Sequence, residues 1–261
     1  MVLAINIGNT MIAVALGHKD SFKTTRILAQ QANAAHFTKQ LEEFVKTETE
    51  VEMDGAIIAS VNTSLTDIVE QAVTNLPGAV PLMVSASLKM RLDLSGYDTS
   101  LIGSDRIAAC EAALCKYPLP AIVFDFGTAT TINVIDKDGK YLGGSILPGL
   151  LTGAKALSSN TALLPLLSVP AEQTELVPLI GTNTMECIQS GTIHGNAAMF
   201  DGMIARISQQ VGGATVIATG GYAKYVLPLC CSTYVYDEHL LITGLYELHG
   251  GNSRKKEKGD F

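Results

Sequence analysis

The chain has 261 residues, enough to bury a core as one long domain or two small ones, and 47% hydrophobic with 16% charged residues is an ordinary globular composition. A net charge of −7 supplies no basic field for a nucleic-acid backbone. No run reaches the roughly 18 consecutive apolar residues of a membrane span, and the strand pattern begins at Val2–Ile5 with no basic segment ahead of it, which predicts neither a membrane partner nor a secretory signal.

Leu3–Ala15 (LAINIGNTMIAVA) reads as an apolar strand, a turn around Gly8 and a second apolar strand. Phe37–Val45 carries apolar residues at helical spacing, and Gly55–Val61 reads as a buried strand. Asn62-Thr63-Ser64 predicts a turn and helix cap before a helix over Leu65–Thr74, and Val80–Val84 a further strand. Gly103–Cys115 predicts a helix, stopped by Pro118 and Pro120. Val123–Val134 (VFDFGTATTINV) then repeats the opening strand-turn-strand, and Asp138-Gly139 predicts a hairpin into Tyr141–Gly144. Leu150–Leu167 is expected to be helical in part, and Asn183–Ile207 to form one long helix or two. The glycines at 191, 195 and 202 predict a closely packed neighbouring backbone. Val216–Ala218, running into Thr219-Gly220-Gly221, answers Ile57–Ser60, so the duplication extends beyond one motif. The boundaries expected are a first half over 1–117, a second over 118–250 and a polar tail over 251–261, whose basic run Arg254–Lys258 reads as a solvated end.

Two glycine turns that present backbone N–H groups and hydroxyls suit the oxygens of a nucleotide phosphate chain. Neither turn contains a lysine, so a divalent ion is expected to supply positive charge. Asp105 and Arg106 open a helix; the carboxylate either complements the helix dipole or accepts a proton from a substrate hydroxyl, and Arg106 can hold an anion. Asp125 ends an apolar strand, where a cation or turn N–H groups would satisfy it. His194 has no acidic or histidine neighbour at i+3 or i+4 and reads as a core or substrate-adjacent residue. The five cysteines are odd in number and lack metal-ligand spacing, which fits reduced thiols in a cytoplasmic protein.

Taken together, Asn6–Thr10, Gly103–Arg106, Asp125–Thr131 (DFGTATT), Tyr141–Gly149 (YLGGSILPG), Asn183–Gly191 and Ala218–Gly221 resemble the type III pantothenate kinases. The resemblance implies an α/β fold of two ribonuclease-H-like halves, as in the sugar kinase, acetate kinase and actin superfamily. It also implies a homodimer that uses ATP, Mg²⁺ and a monovalent cation, K⁺ or NH₄⁺, to phosphorylate pantothenate in coenzyme A synthesis. By the same resemblance, Asn6, Ile7, Gly8, Asn9, Thr10, Met11, Ile12, Ala13 and Thr128 bind ATP. Tyr97, Gly103, Ser104, Asp105, Arg106 and Thr184 bind pantothenate, Asp105 is the proton acceptor and Asp125 holds the monovalent ion.

Three positions depart from the family pattern. Asn6 stands where the family's first motif begins with Asp, Asn133 where the family commonly has Asp, and GYDTSLIGSDR lacks an Asn-Pro between tyrosine and glycine and is one residue short. An amide keeps the shape of the carboxylate but is a poorer ligand for a hard cation. An active kinase and a catalytically silent relative that binds nucleotide or pantothenate as a regulatory protein both follow from this pattern.

Overall fold

The computed structural model describes residues 1–48, 53–167 and 177–253. The run Arg254–Lys258 lies outside the described residues. The chain divides into two compact units, Met1–Lys116 with His239–Phe261, and Tyr117–Glu238.

In the first unit β1 (Val2–Ile7), β2 (Met11–His18) and β3 (Ser21–Leu28) form an antiparallel meander, followed by α1 (Ala34–Glu48). A crossover then lays β4 (Gly55–Ser60) parallel to β1, and α2 (Thr63–Thr74) leads to β5 (Pro81–Met83), giving the order β3-β2-β1-β4-β5. The alternation of β1 decides its neighbours. Leu3, Ile5 and Ile7 pack with Phe37 and Leu41 of α1 and Val69 of α2, whereas Val2 and Ala4 face Ile107 and Ala108 of α3 (Ser104–Lys116). Asn6 therefore belongs to the α3 face. The loop before α3 is anchored by Glu111, which is 3% exposed and accepts the backbone N–H groups of Arg91 and Leu92 at 3.0–3.1 Å.

The second unit repeats this plan. β6 (Ala121–Phe126), β7 (Ala129–Ile135) and β8 (Tyr141–Pro148) form the meander, then come α4 (Leu150–Asn160) and α5 (Thr184–Val211). β9 (Thr215–Thr219) is parallel to β6, and α6 (Ala223–Val226) precedes β10 (Val235–Tyr236). The order β8-β7-β6-β9-β10 matches the first sheet strand for strand. Ile122, Phe124 and Phe126 pack on Phe200 of α5, which puts Val123 and Asp125 on the opposite face. These are the duplicated ribonuclease-H-like halves expected from the sequence.

After Glu238 the chain returns to the first unit, and α7 (Leu240–Asn252) packs Leu245 and Leu248 beside Ile107 and Ala108. The second half expected through residue 250 therefore differs from the structure, which gives this helix to the first. The approach of α7 to α3 is so close that a Cβ on Gly244 would strike the Ala108 carbonyl.

Other expectations differ locally. Asn62 holds the N-cap position of α2 but makes no side-chain cap bond; its Oδ1 accepts from the Ser64 hydroxyl at 2.7 Å instead. Helix α5 is a single helix that ends at Gly212, whose φ of 79° stops it. A Cβ on Gly191, Gly195 or Gly202 would meet nothing within 4 Å, so the neighbouring backbone expected there is not found among the described residues. All five cysteines are free thiols. No helix among the described residues is long and apolar enough to cross a membrane.

Candidate active site

In the first unit the groups expected to bind ligand converge at the carboxyl ends of β1 and β4. Gly8 N–H closes the turn by donating to the Met11 carbonyl at 3.0 Å, and the Thr10 carbonyl accepts from Ala29 N–H at 3.0 Å. Val61 N–H donates to the Ile7 carbonyl at 3.0 Å, so the two parallel strands stay joined to their last residue. Ser104 fastens α3 to the same place: its Oγ donates to the Ser60 carbonyl at 2.9 Å and accepts from Ser60 N–H at 2.8 Å. Residues 6–13 and 103–106 are therefore neighbours. Tyr97 lies in the preceding loop, where its N–H donates to the Leu94 carbonyl at 3.0 Å.

Asp105 is half-buried at the start of α3, and Arg106 is buried behind it. Burial raises the proton affinity of the Asp105 carboxyl; the Arg106 N–H bond to Oδ1 at 2.7 Å and the guanidinium charge oppose that rise without cancelling it. Asn6 is the second notable group. Its Oδ1 is buried and has no hydrogen-bond partner.

In the second unit the equivalent turn is tighter. Gly127 N–H donates to the Ala129 carbonyl at 3.1 Å, and Tyr222 N–H to the Phe126 carbonyl at 3.0 Å. Asp125 pairs in register with Thr131 on β7 and Thr219 on β9. Its carboxylate lies over Gly220, whose φ is 99° and where an added Cβ would collide with Asp125 Oδ1 and Phe126 N. The exposed Thr128 is fixed through its carbonyl, which accepts from Gly149 N–H at 3.1 Å and from the Thr152 hydroxyl at 2.6 Å.

Gly149 also lines a mainly apolar cleft of about 490 Å³ between α4 and α5, together with Leu150, Ala154, Leu157, Ile188 and Thr184. Thr184 stands at the first turn of α5, capped by Asn183, whose Oδ1 accepts from Glu186 N–H at 3.0 Å. His194 is part of the same helix, and its Nε2 meets the Val177 carbonyl at 2.9 Å. The structure thus brings Asn6–Ala13 together with Gly103–Arg106, and Asp125 with the Thr219-Gly220 turn. Sequence reading missed the anchor that the Ser60 backbone gives Ser104, which any residue there could supply, and the lone hydroxyl of Thr152, whose spacing carries no signal.

The raised pKa of Asp105 has a consequence for stability. Folding favours its protonated form, so ionised Asp105 costs stability at neutral pH, and that cost disappears as the pH falls through the folded pKa towards the unfolded value. D105N, which keeps the acceptor oxygen for Arg106 N–H, should melt no lower than the parent at pH 7–8. Its advantage should shrink on acidification in thermal denaturation at a series of pH values. A variant that melts well below the parent at neutral pH would refute this.

The type III pantothenate kinase family model matches residues 2–206. Among curated relatives, a type III pantothenate kinase of Exiguobacterium sibiricum is 32% identical, covering 97% of this chain and 100% of its own. A type III pantothenate kinase of Thermus thermophilus is 34% identical, with 96% and 99% covered. Among solved structures, the ethanolamine utilization protein EutJ of Carboxydothermus hydrogenoformans aligns with a TM-score of 0.55 at 16% identity, over 94% of this chain and 89% of its own, a likeness of fold. A match over most of the sequence, with relatives aligned end to end, settles membership: the chain belongs to the type III pantothenate kinase family.

Proposed function

We propose that Asp105 is the proton acceptor in the reaction that family membership assigns to this chain. That reaction transfers the γ-phosphoryl group of ATP to the primary hydroxyl of pantothenate, giving 4′-phosphopantothenate, the first step of coenzyme A biosynthesis. One observation carries the role: a half-buried carboxylate at a helix start whose proton affinity is raised by burial. A base of higher pKa takes a hydroxyl proton more readily, and a helix held by Ser104 keeps it in place.

The turn residues 6–13 supply backbone N–H groups for the ATP phosphates, with Thr128 as a hydroxyl donor. Gly103, Ser104, Arg106, Tyr97 and Thr184 are assigned to pantothenate, Arg106 through its guanidinium to the substrate carboxylate.

Mg²⁺ fits residue 6, because Asn6 Oδ1 is a buried oxygen with no donor directed at it. The monovalent cation fits Asp125, whose carboxylate stands over the Gly220 turn with no side chain between them. When bound, these ions neutralise phosphate charge that the lysine-free turns leave uncompensated.

We also assign the homodimer to the outer face of α5. Cys187 and Gly191, at the rim of the cleft beside α4, continue into Gly195 and Ala198 as an exposed strip of small residues, and the chain 161–167 and 177–180 exposes Leu163, Leu166, Leu179 and Ile180, each at least 61%. Apolar exposure on this scale marks an association surface. G195R should sediment as a folded monomer; a dimer unchanged from the parent would move the interface elsewhere.

The reaction is tested by supplying ATP, Mg²⁺, K⁺ and pantothenate and following ADP release and product mass. Nucleotide binding without phosphoryl transfer would return the reading of a silent relative. In the same assay D105N should keep pantothenate binding and lose about 10²–10⁴-fold in turnover. Turnover within about threefold of the parent is too small a loss for a general base and would remove Asp105 from the role.

For residue 6 the readout is Mg²⁺ affinity, titrated calorimetrically with ATP present. N6D supplies a carboxylate where the amide oxygen stands and should tighten Mg²⁺ binding. Equal half-saturation in both proteins would make residue 6 a turn residue only.

A further inference from the structure

The face of the second sheet that carries Asp125 also carries a relay of three side chains, buried at Tyr141 and Asn133 and half-buried at Thr131. The Tyr141 hydroxyl donates to Asn133 Oδ1 at 3.0 Å, and Asn133 Nδ2 donates to Thr131 Oγ1 at 3.2 Å. Asn133 has no exposed surface and Tyr141 keeps 1%. Strand register sets Thr131 opposite Asp125 and Asn133 opposite Val123, so these side chains leave the same face. Partners in such a pair stand with Cβ atoms about 4.5–5.5 Å apart, within reach of a short polar side chain.

The direction of the bonds carries the inference. With its oxygen engaged by Tyr141, the Asn133 amide can offer Thr131 only its N–H. That donor occupies a lone pair of the Thr131 oxygen and leaves the hydroxyl proton for an acceptor on the Asp125 side. A carboxylate at position 133 would accept from both hydroxyls. The Thr131 proton would turn inward, and a second buried negative charge would stand near Asp125.

We propose that Asn133 is a positioning residue that acts through Thr131 to hold a hydroxyl donor towards the phosphate-binding end of the second sheet. The amide also spares that end a second carboxylate. The proposal rests on the assignment of Asp125 and Thr128 to the nucleotide and extends it: Thr131 offers its proton to an ATP phosphate oxygen, and the strand ends need less cation charge.

Calorimetric titration of ATP with Mg²⁺ and no pantothenate tests this on the full chain. T131V should weaken ATP by about tenfold, the worth of one such hydrogen bond, while T131S stays near the parent. N133D should weaken ATP as much or more and make binding depend more steeply on K⁺. Because both changes act through one hydroxyl, T131V should add less than about twofold in the N133D background. In kinetic assays both variants should raise the KM for ATP and leave that for pantothenate unchanged, a split that general loss of packing would not give. If N133D does not fold, Y141F serves instead: it frees the amide to turn, and its effect on ATP should vanish in the T131V background. Parent-like ATP affinity in T131V, or fully additive effects of the paired changes, would overturn the proposal. D125N separates the two levels. Weakened ATP in D125N with a parent-like T131V would sink only the relay, whereas ATP affinity unmoved in D125N would sink the assignment beneath it.

Discussion

Parallel pairing of a central strand with its crossover neighbour, β1 with β4 and β6 with β9, is the constraint on which each unit depends. Two parallel strands end on the same side of a sheet, and the chain leaving each must turn away there, so backbone donors gather at one edge. In the first unit Val61 N–H reaches back to Ile7, and in the second Tyr222 N–H reaches back to Phe126. The neighbouring hairpin ends at the same edge, closed by Gly8 in one unit and Gly127 in the other. An edge where backbone donors gather is thus a consequence of topology, built before any particular side chain is chosen.

The side chains then divide the work by face. Period-two alternation turns Leu3, Ile5 and Ile7 into one core and leaves Asn6 on the other face; Phe124 and Phe126 do the same for Asp125. One polar residue per central strand is thereby placed at that edge without disturbing the packing behind it. Asp105 carries the opposite burden, because its carboxylate is held where burial disfavours its charge. The pair of hydrogen bonds between Ser104 and the Ser60 backbone and the packing of Ala108 against α7 offset that cost and keep the helix start fixed.

Legibility in the sequence followed the strength of local signals. The repeated turns, the strand expected over Gly55–Val61 and the helix expected over Gly103–Cys115 have sharp glycine or proline boundaries, and the structure keeps them within a residue or two. β3 was not read because Ser21–Leu28 alternates weakly and is mostly exposed, as an edge strand allows. Helix α7 was missed for the opposite reason: it is apolar on most sides, so no amphipathic stripe marks it, and only the fold shows that it completes the first core. The glycines of α5 invited a packed backbone as their explanation, yet they lie on an open face. At the site, motif residues were legible as a set, but their supports were not. The Ser60 backbone acts through two hydrogen bonds to Ser104 and Thr152 through one to the Thr128 carbonyl, all of them created by tertiary structure.

The two asparagines show how a fold can keep its geometry while its charge changes. At residue 6 the amide leaves a buried oxygen without a donor, a position that favours a cation or water over emptiness. At residue 133 the amide is fully engaged, accepting from one hydroxyl and donating to another. An asparagine in place of a carboxylate would therefore have two physical meanings in this fold. Where the oxygen faces a ligand, it lowers affinity for hard cations; where both ends of the amide are bound, it sets the direction of a hydrogen-bond chain. Because the backbone at both places is fixed by strand pairing and glycine turns, neither change requires the edge to move. The charge near the strand ends can then change by substitution at residues 6 and 133 with both glycine turns left intact.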